Sequence, residues 1–273
     1  MIIYKFWNKF FSVKIDGFTI PKNSYKLIKA YQKLIRLGYN YKIIDDTLII
    51  DFLEYKLHTN CYDESFLMSI DENTRNDEYN LNDISLNDKI VLDVGANIGD
   101  TALSLIHKGA LKVYSVEPVM ETFKYLSMNI TGNRLERKII PINYGLSSFK
   151  GELDIVIRDH ASGGNSITYS NRNSAKKVYN KTTKVKTITV IDLLKHTEPD
   201  NGRIEILKMD CEGCEYEVNL EQLIQGLPLL KHIFIEYHQG CSGLADMLTN
   251  LGFKVRIRPK SNRLGVILAE KLT

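Results

Sequence analysis

The chain lacks any apolar run approaching the roughly 20 residues that a membrane-spanning helix needs. Its apolar opening, Met1 to Phe11, is broken by Lys5 and Lys9 and has no small-residue cleavage site, so it does not read as a secretory signal. Cysteine is scarce, with four residues at 61, 211, 214 and 241. That set is too sparse and uneven for a disulfide-stapled secreted domain, and a reducing cytoplasm is the expected compartment. Surplus charge is small too: 36 Lys and Arg against 33 Asp and Glu leave a net +3, which by itself calls for no polyanionic partner. Repeats and low-complexity tracts are missing. What is present is 273 residues at 44% apolar and 25% charged, an ordinary globular composition with room for one large domain and a modest accessory segment.

Two regions differ in character. In the first, Tyr25 to Leu37 has apolar residues at 27, 28, 31, 34 and 35, the spacing of a helix that Asn23 or Ser24 can cap and Gly38 can end. Tyr41–Ile44 and Thr47–Phe52 read as short strands around Asp45-Asp46, and the polar stretch Asp71–Asp83 reads as a loop or linker. From about Ile84 short apolar strands alternate with amphipathic helices. Strands are expected at Lys89–Val94, Leu111–Glu117, Ile139–Asn143, Ile204–Met209 and His232–Glu236, with added strands near 152–158, 184–188, 253–257 and 265–269. Helices are expected at Ile98–Lys108, Met120–Ile130, Glu215–Gln225 and Leu244–Leu251. Repeated strand-helix units predict an α/β fold with a mostly parallel sheet covered by helices. The expected division is therefore an N-terminal α+β accessory segment over 1–83 and the α/β domain over 84–273.

In such sheets ligands sit beyond the carboxyl ends of the strands, where strand order reverses. The first strand of the domain ends in Asp93-Val-Gly-Ala-Asn-Ile-Gly99 and runs straight into a helix. Gly95 removes a side chain where backbone approaches the ligand, Gly99 permits close packing, and the N–H groups at the helix start can meet ligand oxygens. Eighteen residues beyond Gly99 the second strand ends at Glu117, a carboxylate able to accept from ribose hydroxyls. The glycines are spaced G-x-x-x-G with Asn97 between them, not G-x-G-x-x-G. Asp93 disfavours a pyrophosphate but suits a ligand with ammonium and sulfonium charges. The combination points to S-adenosylmethionine rather than a dinucleotide.

Val91-Leu-Asp-Val-Gly-Ala-Asn-Ile-Gly-Asp100 resembles the first motif of class I methyltransferases, particularly the FkbM-like family. Leu207-Lys-Met-Asp-Cys-Glu-Gly-Cys-Glu215 is similar to that family's fourth-strand ending, K-x-D-x-E-G-x-E. Phe234-Ile-Glu-Tyr-His238 is similar to its fifth-strand ending, a Glu shortly before a His. The resemblance covers about 85–273. It implies a Rossmann-like, seven-stranded sheet whose last strand is antiparallel, and methyl transfer to hydroxyl oxygen of a sugar, glycolipid or other small metabolite. It also implies that Asp93, Gly95 and Gly99 frame the methionine part of the donor and Glu117 its ribose. Asn143 would face the adenine or serve as a turn residue before Gly145. Ser162–Ile167 is similar to a Gly/Ser-rich loop over the family's active site.

Methyl transfer is an in-line displacement, so positioning supplies much of the rate. An alcohol also needs to lose its proton, which calls for a base or a metal. Asp210 and Glu212 leave the fourth strand beside the expected donor site, and Glu236 and His238 end the neighbouring strand. Asp210 is the first candidate for base or substrate anchor. Glu212 could share that role or brace the loop, and His238 has an ordinary pKa suited to proton transfer near neutrality. No ligand spacing demands a metal, and none is assigned. Cys211 and Cys214 read as small packing residues. The basic stretches Arg172–Lys186 and Lys254–Arg263 raise RNA methylation as an alternative. No N-P-P-[FY]-type motif accompanies them, so a nucleic-acid partner is not expected. A nicotinamide-dependent oxidoreductase, a non-catalytic partner subunit and a homo-oligomer are the other readings considered.

Overall fold

The computed structural model describes residues 12–15, 18–21, 24–71, 77, 79, 81–157 and 181–272. The N-terminal segment opens with a hairpin, β1 (Val13–Ile15) and β2 (Phe18–Ile20), followed by helix α1 (Tyr25–Arg36). α1 buries Leu27, Ile28, Tyr31 and Leu34 of the stripe its spacing predicted, with Ala30 added, while Ile35 is exposed. A meander follows: β3 (Tyr41–Ile44), β4 (Thr47–Phe52) and β5 (Tyr55–Asn60). Asp45 and Asp46 turn the first corner at φ 47° and 60°, the pair of positive angles that a two-residue hairpin with native twist requires. Helix α2 (Glu64–Ser69) is capped by Asp63, whose side chain accepts from Phe66 N at 3.0 Å.

The sheet edge at β5 is closed by a helix rather than a strand. Asn129 on α4 (Met120–Gly132) and Asn133, one turn later at its C-cap, accept from His58 N at 2.6 Å and Lys56 N at 2.8 Å. Their amides donate back to His58 O at 3.0 Å and Lys56 O at 2.8 Å. Two side chains thus satisfy an edge that would otherwise be open to pairing.

The domain is built on a seven-stranded sheet. Its parallel strands are β6 (Ile90–Val94), β7 (Lys112–Val116), β8 (Ile139–Ile142), β12 (Ile204–Met209) and β13 (His232–Tyr237); β14 (Phe253–Pro259) and β15 (Gly265–Lys271) complete it. The order is β14-β15-β13-β12-β6-β7-β8, parallel except for β15, which is antiparallel to both neighbours. Every residue of β6 is buried, because helices cover both faces. On one face, Val91, Val113, Ile206, Phe234 and Leu268 join α4, α3 (Asp100–His107) and the N-terminal segment in one apolar cluster. On the other face, Leu92, Leu207, Ile235 and Ile267 pack with α5 (Val190–His196), α6 (Leu220–Gln225) and α7 (Ser242–Asn250). A side sheet of β9 (Gly145–Leu146), β10 (Gly151–Ile157) and β11 (Lys181–Ile188) joins that second cluster. Strand order reverses between β6 and β12, which sets the exits of both side by side.

Some expectations needed correction. The helix expected over Glu215–Gln225 is a 3-10 turn at Cys214–Tyr216 followed by α6, because Asn219 accepts from Gln222 N at 2.9 Å and starts the helix afresh. β5 and α5 had no counterpart in the sequence reading. Ser162–Ile167 and most of the basic stretch Arg172–Lys186 lie outside the described residues. No helix among the described residues is long and apolar enough to cross a membrane.

Candidate active site

The loop after β6 is held from within. Gly95 N and Ala96 N both donate to Val116 O, at 2.9 and 3.0 Å, and Gly99 N donates to Ala96 O at 2.9 Å. These three N–H groups therefore face the protein and hold the loop's shape. Gly95 lies at φ 83°, and a Cβ there would stand 1.8 Å from the carbonyl oxygen of Asp210. Its bareness admits the backbone leaving β12. Gly99 matches its expected packing role: a Cβ would meet Leu126 Cδ1 at 2.6 Å.

Asp93 is fully buried, and its Oδ1 lies 3.1 Å from Lys208 Nζ, its register neighbour on β12. Lys208 also donates to Gly95 O at 3.0 Å. Burial works against the lysine's charge, but Asp93 and Asp210 outweigh it and hold the ammonium protonated. The charge of Asp93 is thus balanced inside the protein, and its work is to fix the loop to β12. Beyond that ion pair, neither of its buried carboxylate oxygens has a hydrogen-bond partner. Asn97 and Glu117 are the neighbouring polar groups of the loop. Asn97, at φ 51°, has a buried Oδ1 with no hydrogen-bond partner. Glu117 accepts from Asn97 N at 3.0 Å through Oε2 and from Val119 N at 2.9 Å through Oε1. Burial pushes its carboxyl up to about 8 despite those two donors. Asn143 donates to Glu117 O at 2.9 Å and Pro118 O at 3.3 Å, bracing the β7 exit.

Asp210, Glu212, Glu236 and His238 converge as expected. His238 Nε2 lies 3.4 Å from Glu212 Oε2 and 3.9 Å from Asp210 Oδ1. Its Nδ1 is 2.9 Å from Oε1 of Glu215, a buried carboxylate whose Oε2 accepts from Gly213 N at 2.8 Å. Burial alone would drive the ring toward neutrality. The hydrogen bond to Glu215 and the carboxylates of Glu212 and Asp210 reverse that and raise His238 to about 9. The Tyr79 hydroxyl reaches Asp210 Oδ2 at 3.3 Å and Glu236 Oε2 at 3.5 Å, and Lys260 Nζ donates to Glu236 Oε1 at 2.9 Å.

Four contributors were absent from the sequence-based site: Tyr79, Lys208, Glu215 and Lys260. Lys208 and Glu215 stand inside the Leu207–Glu215 motif, so their spacing was a usable signal; Tyr79 and Lys260 carried none. Cys211 and Cys214 are bonded to each other across Glu212-Gly213, so packing alone does not describe them. Asp210, Glu236 and His238 offer ligand-type atoms within 4.8 Å of one another, the one such grouping among the described residues. Lys260 and Glu215 already engage two of its members.

A model of the FkbM methyltransferase domain matches residues 93–255, well over half of the chain. The chain belongs to the FkbM methyltransferase family. As a member of it, the chain is an S-adenosylmethionine-dependent methyltransferase, and its sheet has the class I order with the antiparallel last strand. No curated protein matches it. Solved structures to which it is similar include M. jannaschii TYW2 in complex with AdoMet, at 14% identity and TM-score 0.45, covering 85% of this chain and 89% of that one. Another is a methyltransferase from Geobacter sulfurreducens, at 14% identity and TM-score 0.43, covering 75% and 86%. Likeness at that level transfers no substrate. The acceptors at the donor loop of this FkbM methyltransferase, Asn97 Oδ1 and the Glu117 carboxylate, suit a ligand with ammonium and hydroxyl donors.

Proposed function

We propose that the chain methylates a hydroxyl oxygen of a sugar, glycolipid or other small metabolite. The observation that carries this reading is the Glu215–His238 pair, a buried carboxylate holding Nδ1 while Nε2 faces the Asp210 rim. Bound S-adenosylmethionine supplies an electrophilic methyl on a sulfonium. Asn97 and Glu117 would hold it, each Glu117 oxygen keeping a second lone pair for a ribose hydroxyl. Asp93 and Lys208 act through the loop they lock.

On the acceptor side, Asp210 and Glu236 anchor the hydroxyl, and Tyr79 sets their spacing. His238 Nε2 takes the hydroxyl proton as the oxygen–methyl bond forms and the methyl–sulfur bond breaks, its electron pair staying on the neutral thioether that leaves. Glu215 fixes the ring's tautomer and stabilises the imidazolium that results, the division of labour of a carboxylate-histidine dyad. With His238 raised to about 9, only about one molecule in a hundred carries the neutral base at pH 7. The division at residues 83 and 84 belongs to this proposal: the first segment delivers Tyr79 and forms the acceptor-side wall. The test is Asp210→Asn, assayed with methyl-labelled donor and hydroxylated acceptors. Donor affinity should hold while turnover falls at least tenfold; full turnover would remove Asp210 from the site.

A further inference from the structure

β14 places Lys254, Arg256 and Arg258 on one exposed face of the sheet's edge. Strand register fixes which face that is. Arg258 pairs with Val266, and Val266 with Glu236; Arg256 pairs with Leu268, and Leu268 with Phe234. Directly paired residues project to the same side. Arg256 and Arg258 therefore stand on the side of Glu236, from which Tyr79 packs on Phe234 and reaches Asp210. Arg258 lies two strand spacings from Glu236, roughly 10 Å.

Glu270 is the register neighbour of Lys254, whereas Arg256 and Arg258 stand opposite the apolar Leu268 and Val266. Among the described residues no carboxylate forms an ion pair with Lys254, Arg256 or Arg258, whereas Lys260, at the end of the row, is engaged by Glu236 at 2.9 Å. The hairpin beyond closes against the rim, with Arg263 O accepting from Gly240 N at 3.0 Å, just past His238. A solvated edge strand explains the charges one at a time. It does not explain a cation row aligned with, and leading to, a carboxylate rim that recognises hydroxyls.

Resting on the O-methyltransferase reading, we propose that the acceptor is a small phosphorylated hydroxyl compound. Its hydroxyl sits at Asp210 and Glu236, and its phosphate or diphosphate sits on Arg256 and Arg258. Guanidinium forks one strand repeat apart, roughly 7 Å, suit bidentate contact with such an anion. The strand Phe253–Pro259 exposes no aromatic ring on which a base could stack, which favours a small phosphorylated acceptor over RNA.

The test uses the whole chain saturated with S-adenosylmethionine and titrated calorimetrically with inorganic pyrophosphate, beside the double variant Arg256→Gln/Arg258→Gln. Both positions are exposed, and a thermal melt confirms folding. The expected result is pyrophosphate binding that weakens at least tenfold in the variant, with donor affinity unchanged. Equal affinity in the two proteins, or no binding to the donor-loaded wild type, overturns the proposal. So does an oligouridylate that binds more tightly than pyrophosphate through the same arginines, which would make the row an RNA surface. If the protein fails to bind the donor, the methyltransferase site fails first; arginine-dependent pyrophosphate binding then still supports the anion site itself.

Discussion

Replacing Glu215 by Gln removes one charge and little volume from the centre of the proposed base. The rise of His238 from 6.5 to about 9 corresponds to on the order of 3 kcal/mol of preference for the charged ring. Burial opposes that preference, so the carboxylates supply more than the net. Glu215 is the one hydrogen-bonded to the ring, and it leads the groups that raise it, ahead of Glu212 and Asp210. Its neutralisation should lower the His238 pKa by roughly one unit. The assay is kcat/KM against pH with donor saturating. The wild type should climb with unit slope and bend near pH 9, where the base becomes neutral. Glu215→Gln should bend about one unit lower and reach a lower plateau, because the ring has lost the group that orients it. Stability carries the opposite trend. A folded pKa above the unfolded one stabilises fully below pH 6.5 and ceases to do so as pH rises through about 9. The destabilisation of the variant should therefore be largest in acid and fade above pH 9. An unmoved bend, or an unchanged plateau, would refute the assignment of His238 as base held by Glu215.

Further outcomes follow from the donor loop. Gly95→Ala places a methyl 1.8 Å from the Asp210 carbonyl at φ 83°, and should cost on the order of 3 kcal/mol or more by denaturant unfolding. Lys208→Met leaves Asp93 buried without its cation and should destabilise by about 3–5 kcal/mol, with Asp93→Asn/Lys208→Met recovering part of it. Glu117, pushed up by burial to about 8, is protonated in donor-free protein below that pH, and the native state loses stability as pH rises from 4.5 toward 8. Donor affinity should therefore increase between pH 7 and 9 as the carboxylate forms, and Glu117→Gln should flatten that increase in a titration series.

How much could be read beforehand varied with how local each signal was. Ile204–Met209 read as a buried strand because both its faces are covered and every position but Glu205 and Lys208 is apolar. β5, Tyr-Lys-Leu-His-Thr-Asn, has too few apolar residues to stand out as a strand, and the groups that satisfy its edge sit some 70 residues later in the sequence. Asp93 was legible as a site residue, but not its direction: that depends on Lys208 being its register neighbour, a fact of strand pairing. Gly95 was likewise noticed for its bareness, but the Asp210 backbone that it admits lies in a distant stretch of sequence. Glu215 was hidden by an expected helix that the Asn219 cap postpones. Tyr79 sits in a polar stretch whose pattern points nowhere, and only the folded chain brings its hydroxyl to Asp210.

The central claim is that the Asp93–Gly99 loop and Glu117 hold the methyl donor beside a carboxylate-histidine rim. Calorimetric titration of S-adenosylmethionine into wild type and Glu117→Ala tests it most directly. Stoichiometric binding by the wild type, weakened at least tenfold by the substitution, is the predicted result. Equal affinity in a folded Glu117→Ala variant would contradict it.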